Sequence, residues 1–244
     1  MKHFLVLLLC NFLFTACEEE RPVNELYVGT SADYPPFEFY QDGKVIGFEM
    51  DLIRKIVKEL QKECIIKDLP FDSLIGALQT KRIDMSISSF TSTPERLKKV
   101  DFSIPYYRSY EVMLVAKDSS IQSIDDLENK TVGVQSGSTH EITVKNDWMT
   151  KIKGLKMRSL SKIPDLLQDF KAGRLDAIIM GNSEASNVVH TVSFFKIVPL
   201  KETEAVFAIA FPKGSPLLEP VNKLLQKWTD DGTLRKLEER WIPE

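Results

Sequence analysis

The chain predicts an α/β fold of two similar lobes, each built on a sheet with parallel strands and covered by helices. Three observations carry this. Strand-like apolar runs alternate with amphipathic helical stretches along most of the sequence. One helix–turn–strand unit occurs twice, 92 residues apart. Each copy of its strand then runs into a polar loop, Ser88-Ser89-Phe90-Thr91 in the first and Gly181-Asn182-Ser183-Glu184 in the second.

In chain order, Lys2 precedes an apolar run from Phe4 to Phe14, broken only by Asn11 and followed by Thr15-Ala16. This reads as a secretory signal over residues 1–16, too short to span a bilayer. Behind it Cys17 opens an abrupt polar stretch, Glu18-Glu19-Glu20-Arg21-Pro22. The junction resembles that of a bacterial lipoprotein, which implies acylation of Cys17 and a lipidated tether over 17–25. Ordinary cleavage near Ala16 is the plainer alternative.

Leu26–Thr30 reads as a strand, and the spacing of Leu52, Ile53, Ile56, Val57 and Leu60 predicts a helix over 49–63. A strand over 64–69 follows, then a helix marked by Phe71, Leu74, Ile75 and Leu78, then the alternating Ile83, Met85 and Ile87. A second series places strands over 111–116, 131–135 and 155–160 around a helix over 139–148. Two closing helices, 217–231 and 233–241, are separated by Gly232. The repeat joins the two series. Phe71-x-x-Leu74-Ile75-x-x-Leu78 with Lys81-Arg82-Ile83-Asp84 is echoed by Ile163-x-x-Leu166-Leu167-x-x-Phe170 with Gly173-Arg174-Leu175-Asp176. In open α/β sheets ligands bind beyond the carboxyl ends of the strands. Two lobes facing each other would set both polar loops on opposite walls of one cleft.

The 244 residues include 32 basic and 35 acidic side chains, a net charge of −3. Loss of the signal removes Lys2 and no acid, giving −4 and arguing against a nucleic-acid partner. Cys10 leaves with the signal and Cys17 is the acylation candidate, so Cys64 alone remains and no internal disulfide forms. Scattered histidines offer neither a metal cluster nor a nucleophile–base pair, and no phosphate-cradling glycine loop is present. The expectation is therefore a monomeric body without metal or cofactor.

The densest polar stretch is Ser88 to Arg96. Hydroxyl groups lead into Pro94, a residue suited to the first helical position, with Arg96 on the first turn. Such a helix start has unpaired N–H groups, and a guanidinium adds a planar fork that fits a carboxylate. A capped helix with a solvated arginine is the competing reading of these residues alone.

A series of further markers gives this stretch a context. They are Gly29-Thr30-Ser31-Ala32-Asp33-Tyr34-Pro35-Pro36-Phe37-Glu38, Gly47-Phe48-Glu49-Met50-Asp51-Leu52 and Val100-Asp101-Phe102-Ser103-Ile104-Pro105-Tyr106-Tyr107. Val132-Gly133-Val134-Gln135-Ser136-Gly137-Ser138-Thr139 and Asp231-Gly232-Thr233 complete them. In this order, over residues 26–243, the chain resembles an extracytoplasmic solute-binding protein of a polar amino-acid ABC transporter. The resemblance is to the family 3 type, which includes arginine-, histidine- and glutamine-binding proteins. It implies the two-lobed type II periplasmic-binding-protein fold, with lobes joined by two crossing strands and closing like a hinge on ligand. That places 26–108 and 206–244 in lobe 1 and 109–205 in lobe 2. It implies a free L-amino acid as ligand, delivery to the membrane subunits of an ABC permease, and residence in the periplasm or cell envelope.

By the same resemblance Tyr34 and Phe71 form aromatic walls around the ligand side chain. Ser88, Ser89 and Thr91 hydrogen-bond its backbone atoms, and Arg96 pairs with its α-carboxylate. Ser138 and Thr139 meet that carboxylate from the second lobe, and His140 stands where relatives read the side chain. Two positions depart. Relatives carry an aspartate for the ligand ammonium where Gly181 stands, which directs attention to Glu184 and, as a neutral substitute, Asn182. Relatives that take cationic amino acids often have an aspartate where Ser31 stands, which weakens the case for arginine or lysine. Two other functions fit the same scaffold: a dehydratase acting on small carboxylates, using Glu184 or His140, and a sensor or adhesin without a transporter.

Overall fold

The computed structural model describes residues 22–242. The signal, Cys17 and the first part of the tether lie outside them. The first series runs β1 (Glu25–Thr30), β2 (Asp33–Tyr34), β3 (Glu38–Gln41), β4 (Lys44–Ile46), α1 (Phe48–Glu59), β5 (Glu63–Asp68), α2 (Leu74–Gln79), β6 (Met85–Ser86), α3 (Pro94–Leu97) and β7 (Val100–Phe102). The long β8 (Tyr107–Ala116) opens the second series. It continues with β9 (Thr131–Gln135), α4 (Thr139–Thr143), α5 (Met149–Lys151), β10 (Lys156–Leu160), α6 (Ile163–Lys171), β11 (Ala177–Gly181), α7 (Asn182–Thr191) and β12 (Phe195–Phe207). The chain then returns through β13 (Ala210–Pro212) to α8 (Leu218–Asp230) and α9 (Thr233–Trp241).

Two five-stranded sheets result, ordered β5-β1-β6-β13-β7 and β10-β9-β11-β8-β12, with a small sheet β2-β3-β4 beside the first. The expected parallel pairing holds where the repeat lies: β5 and β6 flank β1 in parallel, as β10 and β11 flank β9. Both sheets are mixed, however, because β13, β8 and β12 add antiparallel pairs. β8 and β12 pair along their length, from Phe195 opposite Ala116 to Phe207 opposite Tyr107, and form the double crossing between the lobes.

The repeat has a shared physical basis. A Cβ on Gly29 would sit 2.4 Å from Ile83 and 2.9 Å from Leu74, and one on Gly133 would sit 2.6 Å from Leu175 and 2.9 Å from Leu166. Each helix therefore packs directly onto the backbone of its central strand. Asp84 accepts from the Tyr27 N–H at 2.7 Å, and Asp176 accepts from the Thr131 N–H at 2.8 Å. Lys81 and Gly173 both close their helices in the left-handed region, at φ 54° and 71°. The same device corrects one boundary. α1 ends at Glu59, not residue 63, because Gln61 turns left-handed (φ 56°) and the Lys62 N–H bonds back to Val57, freeing Glu63 for β5. The helix expected over 139–148 extends to Lys151, as α4 and α5 join through a wider turn at Val144–Trp148.

Phe37 anchors the first lobe to the crossing. It is fully buried, with Phe48, Tyr107 and Phe207 at ring-centroid distances of 5.9, 4.9 and 5.6 Å. Cys64 is half-buried, and burial pushes its thiol up to about 11, leaving it as an unreactive hydrophobe. No helix among the described residues is long and apolar enough to cross a membrane.

Candidate functional site: a closed cleft between the lobes

The loops after β6 and β11 converge with those after β1 and β9 on one cleft. Tyr34, Phe71, Ser88, Ser89, Thr91, Arg96, Ser138, Thr139 and His140 all line it. Glu184 lies behind the wall, beneath Gly181.

The Ser88–Arg96 segment folds as its chemistry suggests. Thr93 caps α3, its Oγ1 accepting the Arg96 N–H at 3.2 Å, with Pro94 at the first helical position. α3 is only four residues long, so the helix start contributes little and the guanidinium carries the anion site. Arg96 is 8% exposed and lies 5.0 and 5.5 Å from the ring centres of Phe90 and Phe71. Its Nη1 donates to the Thr91 carbonyl at 2.9 Å and its Nη2 to the Gly137 carbonyl at 3.0 Å. Burial lowers its pKa to about 10. A protonated guanidinium is thus buried among rings and carbonyls with no acid paired to it among the described residues, and N–H donors are left for a carboxylate.

From the second lobe, Ser138 caps α4, its Oγ accepting from the Glu141 N–H at 3.1 Å, while Glu141 accepts from the Gly137 N–H at 2.7 Å. This sets Thr139 and His140 at the cleft. His140 Nε2 lies 3.6 Å from Glu111 Oε1. Burial pushes the imidazole toward its neutral form, against the pull of Glu111.

Tyr34 is buried, not exposed as its place before two prolines suggests, and its hydroxyl accepts the Gly181 N–H at 3.0 Å. Asn182 faces away from the ligand space, since its Oδ1 accepts from Ser109 Oγ at 3.1 Å and the Tyr110 N–H at 3.0 Å. Glu184 reaches back as far as Gly181. An ideal Cβ on Gly181 would lie 2.2 Å from Glu184 Oε2, so this carboxylate fills the space a side chain at 181 would take. Both its oxygens are sealed from solvent, and burial raises its pKa to about 8 against the opposing pull of its own backbone N–H and the Tyr34 hydroxyl.

Sequence reasoning missed two acids of the wall. Asp33 accepts from the Ser31 hydroxyl at 3.3 Å, so the acid absent at Ser31 is present two positions on. Burial pushes the Asp33 carboxyl up, and Lys162 opposes that. Glu111 stands directly opposite Gly181 in the β8–β11 pair. Its only sequence signal was an acid opening an apolar strand, and nothing local identifies its cross-strand neighbour.

The lobes touch on both rims. Ser136 Oγ donates to Asp72 Oδ2 at 3.0 Å, Ile163 N–H donates to Asp33 Oδ2 at 3.3 Å, and Lys162 Nζ lies 3.5 Å from Asp68. The conformation is therefore closed. A two-lobed body closing over an unpaired buried guanidinium, with acids facing it, is a receptor for a small zwitterion.

The comparisons agree. The family model of bacterial extracellular solute-binding proteins, family 3, matches residues 26–244, and the chain belongs to that family. It is 39% identical over 253 residues to the arginine-binding extracellular protein ArtP of Bacillus subtilis (strain 168), covering 99% of this chain and 98% of the relative. An ancestral arginine-binding protein bound to arginine superposes with a TM-score of 0.84 at 39% identity, covering 90% of this chain and 98% of that one. An ancestral amino-acid-binding protein described as a precursor of cyclohexadienyl dehydratase gives 0.82 at 36% identity, covering 90% and 96%. The chain is an amino-acid-binding protein that serves an ABC transporter outside the cytoplasmic membrane.

Closure depends on a bare backbone at Gly137. Its φ is 76°, and a Cβ there would lie 2.8 Å from both Cα and Cβ of Asp72 in the facing lobe. Gly137→Ala is expected to leave the fold intact by circular dichroism, prevent full closure in small-angle scattering, and weaken ligand binding at least tenfold, on the order of 1.4 kcal/mol.

Proposed function

We propose that the cleft takes an L-amino acid with a cationic side chain, L-arginine being the test case, and does so without catalysis. The observation that carries this is the acidic lining. Arg96 is assigned to the α-carboxylate and His140 is held toward neutrality, while Asp33 and Glu111 line the remaining space. A guanidinium or ammonium there finds two carboxyl groups together with the faces of Tyr34 and Phe71. The arginine-binding relatives support the same class. Residues 26–108 with 206–244, and 109–205, act as the two closing lobes. Acylated Cys17 tethers a monomer to the membrane, its single cysteine-borne anchor matching the polar segment behind it. Calorimetry with L-arginine, L-glutamine and L-glutamate is the test. L-Arginine is expected to bind at least tenfold more tightly than L-glutamine, with L-glutamate weakest; tighter binding of L-glutamate would overturn the assignment.

Glu184 is the acceptor for the ligand ammonium in this reading, because its carboxylate lies where the aspartate of relatives would project. A buried carboxyl raised by its surroundings also suits a proton donor, and this is the point from which a dehydratase could develop. Here its position beneath Gly181 suits an ammonium instead. The pH dependence follows from the burial. In the closed cleft burial raises the Glu184 carboxyl to about 8 against an ordinary 4.5, and in this reading opening returns it to water. Below about 4.5 it is protonated in both states and adds no penalty. Between 4.5 and 8 ionisation increasingly disfavours closure, and above 8 the effect is constant. Lobe-to-lobe fluorescence transfer should therefore show the closed fraction of ligand-free protein falling from pH 5 to pH 8, less so in Glu184→Gln. The same substitution should weaken L-arginine at least tenfold and its deaminated analogue far less, since only the first carries the ammonium.

A further inference from the structure

Beneath the Ser88–Ser89 loop lie two acids that no ligand role accounts for. Glu38 on β3 is 1% exposed and Glu49 at the start of α1 is fully buried. Glu38 Oε1 accepts the Ser88 hydroxyl proton at 2.9 Å, while Ser88 Oγ accepts the Ser31 N–H at 3.0 Å. Glu49 Oε1 accepts three donors: the Ser89 N–H at 2.8 Å, the Ser89 hydroxyl at 3.0 Å and the Tyr106 hydroxyl at 2.5 Å. Oε2 of each acid is sealed from solvent and finds no donor among the described residues. The two carboxyl groups hold successive residues of one loop, Ser88 and Ser89, and burial together with the charge of Glu49 raises Glu38. Ser89 itself is held at φ 49°, a left-handed conformation that a non-glycine residue adopts only at a cost.

Two ionised carboxylates cannot share such a site, whereas one proton between them satisfies both orphaned oxygens. Three donors converge on Glu49 and one on Glu38, which makes Glu49 the ionised partner. We propose that Glu38 donates a proton through Oε2 to ionised Glu49, and that this pair positions the Ser88–Ser89 loop and fixes the polarity of its hydroxyl groups. Both serine protons point down into the acids, which leaves the hydroxyl oxygens as acceptors only; Ser88 Oγ accepts the Ser31 N–H, and both serines line the cleft. The loop is thereby an acceptor for N–H donors of the ligand, which deepens the reading of the cleft as an amino-acid site and rests on that reading for its ligand. Burial and the neighbouring Glu49 hold the Glu38 carboxyl well above the usual range, with Asp33 of β2 adding to the effect. The other titratable groups facing the pair are Tyr106 before β8, Tyr34 of β2 and Glu184 of α7.

The test uses the mature protein labelled with 13C at glutamate side-chain carboxyls. At pH 7 a protonated carboxyl resonance, separate from that of Glu184 as identified by Glu184→Gln, should be present in the parent and vanish in Glu38→Gln. The Ser89 amide should exchange with solvent at least tenfold faster in Glu38→Ala than in the parent. Glu38→Gln, whose amide replaces the donor at Oε2, should restore most of that protection and most of the L-arginine affinity lost in Glu38→Ala. Absence of the resonance from the parent, or a Glu38→Gln protein as impaired as Glu38→Ala, would overturn the proposal. If the parent fails to bind L-arginine, the ligand assignment falls, while resonance and exchange still decide the carboxyl pair.

Discussion

The structure turns on a charge left unpaired. Arg96 is buried against the stacked rings of Phe71 and Phe90, anchored to carbonyls from both lobes, and lacks any carboxylate partner among the described residues. Leaving one member of a buried ion pair alone costs roughly 3–5 kcal/mol, so closure over Arg96 is favoured when a carboxylate accompanies it. Opening rehydrates the guanidinium, and a bound carboxylate removes the same penalty without opening. A ligand shifts the lobes only by its differential affinity for the two states, and this unpaired charge is its largest available source. Bridging Thr91 to Gly137 makes Arg96 both the anion site and a closure contact.

The opposite wall repeats the principle with the sign reversed. Glu184 is sealed from solvent beneath Gly181, so its ionised form disfavours the closed cleft, and under the proposed reading a ligand ammonium would reverse that. Under the proposed reading, the departures expected at Gly181 and Ser31 are relocations of charge: Glu184 of α7 fills the space beside Gly181, and Asp33 stands beside Ser31 in the same wall. Loss of a side chain on one element is offset by a longer arm from the next.

Much of this was legible in the sequence, for identifiable reasons. The repeat could be read because its apolar spacing and its Arg-apolar-Asp strand start are local, and the structure supplies the cause in helices pressed onto Gly29 and Gly133. The Ser88–Arg96 loop could be read because capping and charge are local as well. The antiparallel strands β8, β12 and β13 could not, since their pairing joins distant segments such as Ser109 and Ala205. Glu111 escaped for the same reason: its meaning lies in being opposite Gly181. Glu49 was counted only as part of a helix, because no periodicity distinguishes a buried acid at a helix start from a solvated one.

The central claim is that a ligand carboxylate completes Arg96 and thereby closes the protein. The most direct measurement is calorimetric comparison of L-arginine with agmatine, the same molecule without its α-carboxyl group, paired with small-angle scattering to follow closure. The account predicts that agmatine binds at least a hundredfold more weakly, on the order of 3 kcal/mol, and leaves the lobes open. Agmatine binding within threefold of L-arginine, with the same closure, would contradict it.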